Sequence, residues 1–223
     1  MMVTGVLTLA WAVAVWQWQD PFTAVYTQWQ QHKLAQSLER EVAAFHPLRP
    51  DRTNLVAERR QIETEARRFR SLARPGQAIG WIVIERLGLR MVVVNGTDHG
   101  SLAKGPGRDA RTYMPGQNRL VYIAGHRTTY SAPFGHIDAI RSGDEVRLEM
   151  PYATFLYRAF RHRVVAATDL SVLRSPRHEL LELQACHPRF FATHRYLVYA
   201  RLVSVEPRGG VPYTVEAAAT GPT

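Results

Sequence analysis

This sequence predicts a mainly β domain carried behind N-terminal helices, and three observations carry that prediction. Past Arg74-Pro75-Gly76 the chain breaks into eight short β-type segments separated by Gly, Pro and Asn. Ahead of that point, apolar residues recur mostly in three- and four-residue steps. The first 19 residues carry no charge. Eight short strands fit a closed β-barrel or a sandwich.

Composition agrees with one such domain plus appendages. With 223 residues, 46% hydrophobic and 21% charged, the chain can bury a core and is not disordered throughout. Its formal charge of +9 comes from 26 arginines and two lysines, Lys33 and Lys104, against 19 acidic groups. No basic run alternates with aromatic residues, which speaks against nucleic acid as a partner. Anionic lipid headgroups or an anionic cell wall suit the charge better.

The elements follow in order. The run from Val3 to Trp18 is mostly Val, Leu, Ala and Trp, and at about 1.5 Å per residue a helix of that length nearly crosses a hydrocarbon core of roughly 30 Å. Residues 1–19 are therefore expected to form a single-pass transmembrane anchor, and with no Lys or Arg before the span its orientation stays open. Trp16 and Trp18 fall where an aromatic belt would lie. A cleavable signal peptide competes through Ala12-Val13-Ala14, but the positive n-region is missing. Residues 20–75 are expected as a helical stalk. Phe22, Val25, Tyr26, Trp29, Leu34, Leu38, Val42 and Phe45 mark an amphipathic helix, which His46-Pro47-Leu48-Arg49-Pro50 ends. A second, charged helix from about Asn54 to Ala73 shows one narrow stripe, Leu55, Ile62, Ala66 and Phe69.

Residues 76–206 hold the candidate strands: Gly80–Ile84, Arg90–Val94, Leu120–Ala124, Glu145–Met150, Thr154–Phe160, Arg163–Thr168, Leu180–Ala185 and Tyr196–Val203. Gly143-Asp144 and Arg161-His162 read as hairpin connections. The glycine-rich loop from Asn95 to Asn118 is long enough to suggest a functional role. Residues 207–223 read as a flexible tail.

Cys186 is the only cysteine, so it has no disulfide partner within the chain. An unpaired thiol in an exported protein is either a buried bystander or a nucleophile. Two other groups at strand ends bear on the choice: His126, just after Val121 to Gly125, and Arg195, opening the last strand. Together the three supply a nucleophile, a proton donor and a fixed cation, the minimum set for acyl transfer through a thioester. His126 precedes Cys186 by 60 positions, an order opposite to that of papain-like enzymes. His187 is adjacent, but neighbouring strand residues point to opposite faces. Cys186, His187 and His194 lack metal-ligand spacing, so no metal or other cofactor is expected.

These residues sit inside a longer set of motifs. Gly105-Pro106-Gly107, Met114-Pro115-Gly116-Gln117, Ile123-Ala124-Gly125-His126-Arg127, Phe134 and Gly143-Asp144 resemble the core of sortases, the cysteine transpeptidases of Gram-positive cell surfaces. Leu183-Gln184-Ala185-Cys186-His187-Pro188 and Arg195-Tyr196-Leu197-Val198 are similar to the sortase cysteine and arginine strands. The His-Pro after the cysteine, the expected N-terminal anchor and the arginine-rich composition look most like class E enzymes of actinobacteria. One departure stands out: Glu182 and Ala185 occupy positions where the family usually carries threonine.

The resemblance implies a closed eight-stranded barrel with Cys186 as nucleophile, His126 as general acid and base, and Arg195 as stabiliser of the oxyanion or substrate. It implies exported proteins with Leu-Pro-x-Thr-Gly-like or Leu-Ala-x-Thr-Gly-like signals as substrates. The bond cleaved would be that between Thr and Gly. A peptidoglycan precursor or a pilin amine would be the acceptor, and the membrane a further partner. Two other readings remain: an inactive, membrane-tethered binding module, and a cross-linker of the L,D-transpeptidase kind, whose His-Gly-Cys neighbourhood this chain lacks.

Overall fold

The computed structural model describes residues 3–6, 8, 21–47 and 55–215. Two helices come first, α1 (Pro21–Ala44) and α2 (Leu55–Leu72). The strands are β1 (Ala78–Ile84), β2 (Leu89–Asn95), β3 (Gly107–Arg108), β4 (Leu120–Ala124), β5 (Glu145–Glu149), β6 (Ala153–Ala166), β7 (Leu180–His187), β8 (His194–Pro207) and β9 (Tyr213–Thr214). A single helical turn, α3 (His99–Leu102), lies between β2 and β3. The sheet runs β6-β5-β1-β2-β3-β4-β7-β8, and a second pairing of β6 with β8 closes it into an eight-stranded barrel; β9 is appended to β8.

Alternation along the strands fills the interior. Ile82, Ile84, Val121, Ile123, Phe155, Tyr157, Leu181, Leu183 and Val198 are all buried in one core. Helix α2 adds Ile62, Ala66 and Phe69 to that core, three of the four stripe residues, while Leu55 stays 45% exposed. Its Glu58 accepts a hydrogen bond from the Val211 amide at 2.7 Å.

Helix α1, expected as a stalk, packs against β1 and β2. The C-terminal half of the expected apolar face is the one it uses, with Leu34, Leu38, Val42 and Phe45 packed on the barrel, while the N-terminal half is not. Val25, Tyr26 and Trp29 are exposed, whereas Leu38 is buried against Ala78 and Val92. The rest of the docking is polar. Gln31 accepts from the Val92 amide at 2.7 Å and donates to the carbonyls of Val92 and Lys104, and the Thr27 hydroxyl donates to Ala103 O. Backbone groups at a barrel edge need partners, so amides and hydroxyls mark the docking face as surely as aliphatics do.

Four expectations are corrected. The transmembrane anchor is not upheld: among the described residues no helix is long and apolar enough to cross a membrane. Residues 1, 2, 7 and 9–20, most of the segment expected to span, lie outside the described residues. The expected hairpin at Arg161-His162 does not exist, because β6 runs through it as one strand with a register shift between Ala159 and Arg161 that continues its pairing with β8. Gly143-Asp144 is a turn leading from a 3-10 segment (Ile137–Ala139) into β5, not a link between paired strands. The short strands β3 and β9 have no counterpart among the expected segments. Of the expected tail, residues 213–214 pair with Ser204 and Val205.

Candidate active site

Two parallel neighbours at the centre of the barrel wall position the site. β4 and β7 run side by side with Ala124 opposite Gln184, and the Gly125 amide continues the ladder to Gln184 O at 2.9 Å. His126 lies two residues beyond Ala124, and Cys186 two residues beyond Gln184, so both emerge at the same end of adjacent strands. On the other side of β7, Cys186 is the direct register partner of Arg195 on antiparallel β8. Paired residues in a ladder share a face, so the thiol and the guanidinium stem start from the same side.

That side is the outer one. Leu181, Leu183 and Ala185 point into the core, and Glu182, Gln184 and Cys186 alternate outward. Ala185 is thus fully buried on the opposite face from the thiol. Cys186 is a free, partly buried cysteine. Outside β4 a small apolar cluster, Leu120, Tyr122 and Ala124, is walled by Leu102, Leu180 and, from a 3-10 turn (Leu170–Leu173), Val172 and Leu173. This cluster covers the outer face of β4 beside the start of β7.

His126 is half-buried, and its Nε2 is buried without a hydrogen-bond partner. Burial lowers its pKa below the usual 6.5, and the nearby His99 lowers it further. The ring packs on Tyr130 with centroids 4.9 Å apart, and Tyr130 meets His99 edge-on at 5.8 Å. Tyr130 is itself held by α1, its amide donating to the Thr23 hydroxyl at 2.9 Å. Arg195 turns its Nη1 onto the carbonyls of Ala192 (2.8 Å) and His194 (3.0 Å), inside the β7–β8 connection.

Arg127 was quoted as part of a motif but given no role by the sequence, and it is the best-connected cation here. Only 5% exposed, it donates from Nη1 to Cys186 O (3.3 Å) and His187 Nδ1 (2.8 Å), and from Nη2 to Asp138 (2.9 Å). It ties the residue after the histidine to the backbone of the cysteine. Its position beside His126 was visible; the reach across to β7 was not, because parallel pairing is not written in local sequence.

The comparisons with known proteins fit this geometry. The family model described as "Sortase domain" matches residues 82–203. The chain belongs to the sortase family. Those residues form a sortase-type cysteine transpeptidase domain. Sortase D of Bacillus subtilis is 31% identical over 134 residues, 58% of this chain and 66% of the relative. Sortase SrtE1 of Streptomyces coelicolor is 26% identical over 150 residues, 60% of this chain and 43% of the relative. The chain thus spans less than two thirds of the length of each. Among solved structures, a Sortase D5 transpeptidase from Clostridium perfringens shares the fold, with TM-score 0.63, 24% identity, and 78% of this chain covering 98% of that one. Sortases named D and E both match, so class E is not singled out.

Proposed function

We propose that this sortase cleaves an exported protein's Leu-Pro-x-Thr-Gly-like or Leu-Ala-x-Thr-Gly-like signal and transfers the threonyl acyl group to an amine. The observation that carries the proposal is the convergence of three strand ends: Cys186 opposite Arg195 on β7 and β8, and His126 at the matching end of β4.

In this reading Cys186 Sγ attacks the threonine carbonyl, and the C–N bond to glycine breaks. His126 gives its proton to the departing amine, leaving a thioester. The incoming amine then attacks, His126 takes its proton, and the thiol is released. Burial, and the nearby His99 after it, favour the neutral imidazole of His126 in the resting protein. Arg195 serves the oxyanion or the peptide backbone once its guanidinium leaves the loop carbonyls it now holds. The acceptor follows from family kinship: a cell-wall precursor amine, with a pilin lysine as the other candidate. Class E membership belongs to the proposal too, supported by His187-Pro188 and the Streptomyces relative.

Incubating the full chain with such peptides and reading the mass of Cys186 tests the proposal. A thioester adduct on wild type, absent in Cys186→Ala and accumulating far more slowly in His126→Ala, is expected. An identical adduct on Cys186→Ala would sink it.

A further inference from the structure

At the end of the barrel opposite Cys186, the segments that enter β4 and β7 meet the C-terminal half of α2 around a cavity of about 700 Å³. Cys186 lies six residues beyond Leu180, roughly 20 Å along β7 at about 3.3 Å per residue, so the cavity is separate from the catalytic strand ends. Its lining is rich in hydrogen-bond donors and short of acceptors. Glu63, Arg67 and Arg70 recur at the spacing of one helical face, Arg119 stands directly ahead of β4, and Arg177 stands three residues ahead of β7. The one carboxylate in the lining, Glu63, is paired with Arg67. Arg70, Arg119 and Arg177 form no ion pair among the described residues. Arg70 rests on the Tyr113 ring at 4.6 Å, and Arg119 reaches the Pro176 carbonyl at 3.4 Å.

Two side-chain amides add donors to the same wall. Gln117 is only 7% exposed, and its Oε1 accepts from the Met114 amide at 2.9 Å. Its Nε2 is therefore the end left to the cavity, with no partner among the described residues. Asn118 accepts from the Glu179 amide through Oδ1 and likewise keeps Nδ2 unpaired among the described residues. Polar groups on side chains so buried are nearly always satisfied, so the open donor of Gln117 points to a ligand rich in acceptors. Glu179 does not compete for these donors, because its carboxylate is held by the Gly116 and Asn118 amides and the Tyr157 hydroxyl.

We propose that this cavity binds a diphosphate, two phosphate groups joined in one ligand. Three guanidiniums without carboxylates attract about three negative charges, and one phosphate carries about −1.5 to −2 at pH 7. Two linked phosphates balance the site where one does not. Guanidinium forks match phosphate oxygens two at a time, and the amides of Gln117 and Asn118 supply further donors. The volume is that of a ligand pocket, which leaves room for the group that carries the diphosphate.

Calorimetric titration of the full chain with inorganic pyrophosphate tests this, with orthophosphate and citrate as comparison anions. One pyrophosphate per chain is expected, about 10-fold tighter than either comparison. Arg119→Gln and Arg177→Gln should each weaken it by about 10-fold, the worth of a hydrogen bond to a charged group. Arg158→Gln removes an equal charge from β6, where it pairs with Glu145, and should change nothing. Cys186→Ala should bind as wild type does, so the outcome is independent of the transpeptidase reading. Absence of saturable binding, or a comparison anion bound as tightly as pyrophosphate, overturns the proposal. Equal losses in Arg158→Gln and Arg177→Gln, or loss of binding in Cys186→Ala, overturn it as well. Arg177 is exposed, so its replacement leaves the fold intact and the comparison decisive.

Discussion

His126 and His99 are linked through one aromatic ring, and that link is open to measurement. Tyr130 packs on both imidazoles, and the positive form of His99 disfavours a second charge on His126. Replacing His99 by Gln removes the like charge, so the His126 pKa should rise, by less than the part that burial contributes. An NMR titration of the two proteins reads it directly. Glu182 carries the other titration worth following. Its pKa rises from 4.5 to about 8 on folding, because burial penalises the anion. The folded state then binds the proton more tightly than the unfolded state. The associated stability is present in full below about pH 4.5 and is lost as pH rises through about 8. At most about 1.4 kcal/mol per pH unit is involved. Denaturant melts of wild type and Glu182→Gln should therefore diverge between pH 5 and 8, wild type weakening relative to the variant. Parallel curves would mean that Glu182 is solvated.

At the level of elements, what was legible depended on how local the determining interaction is. Helix α2 was readable within a residue or two at each end, because its stripe of Ile62, Ala66 and Phe69 is what the core uses. Strand β4 was read over its exact bounds. Helix α1 was found with nearly its true limits and half of its face: Leu34, Leu38 and Val42 pack as expected, but Val25, Tyr26 and Trp29 do not, and there Gln31 and Thr27 dock through hydrogen bonds that hydropathy does not register. The β6 strand was split in two because Arg161-His162 interrupts an apolar pattern, though its pairing to β8 continues across it. The site was legible as residue types at strand ends, and Arg127 was missed for want of the β4–β7 register. Leu38 tests whether α1 belongs to the barrel. It is 1% exposed against Ala78 and Val92, so Leu38→Ala should cost about 2–5 kcal/mol in urea unfolding of the whole domain. A helix that stood clear of the barrel would show almost no effect.

For the whole molecule, closure distributes the work among strands far apart in the chain. The β6–β8 seam seals the barrel, β7 sits between β4 and β8, and α2 contributes to the core from outside the sheet. No single hairpin contains the site. His126 and Cys186 stand 60 residues apart on parallel neighbours, joined by a segment that itself contains β5 and β6. Contacts so distant in sequence close slowly, because loop entropy is lost before pairing compensates for it. During refolding from urea, circular dichroism should recover first and peptide cleavage afterwards; simultaneous recovery would contradict this order. The parallel β4–β7 ladder thus acts as a checkpoint in time as well as a scaffold in space. A half-folded chain would carry an unpaired thiol yet no neighbouring imidazole, and so would be unable to cut peptides before its barrel is complete.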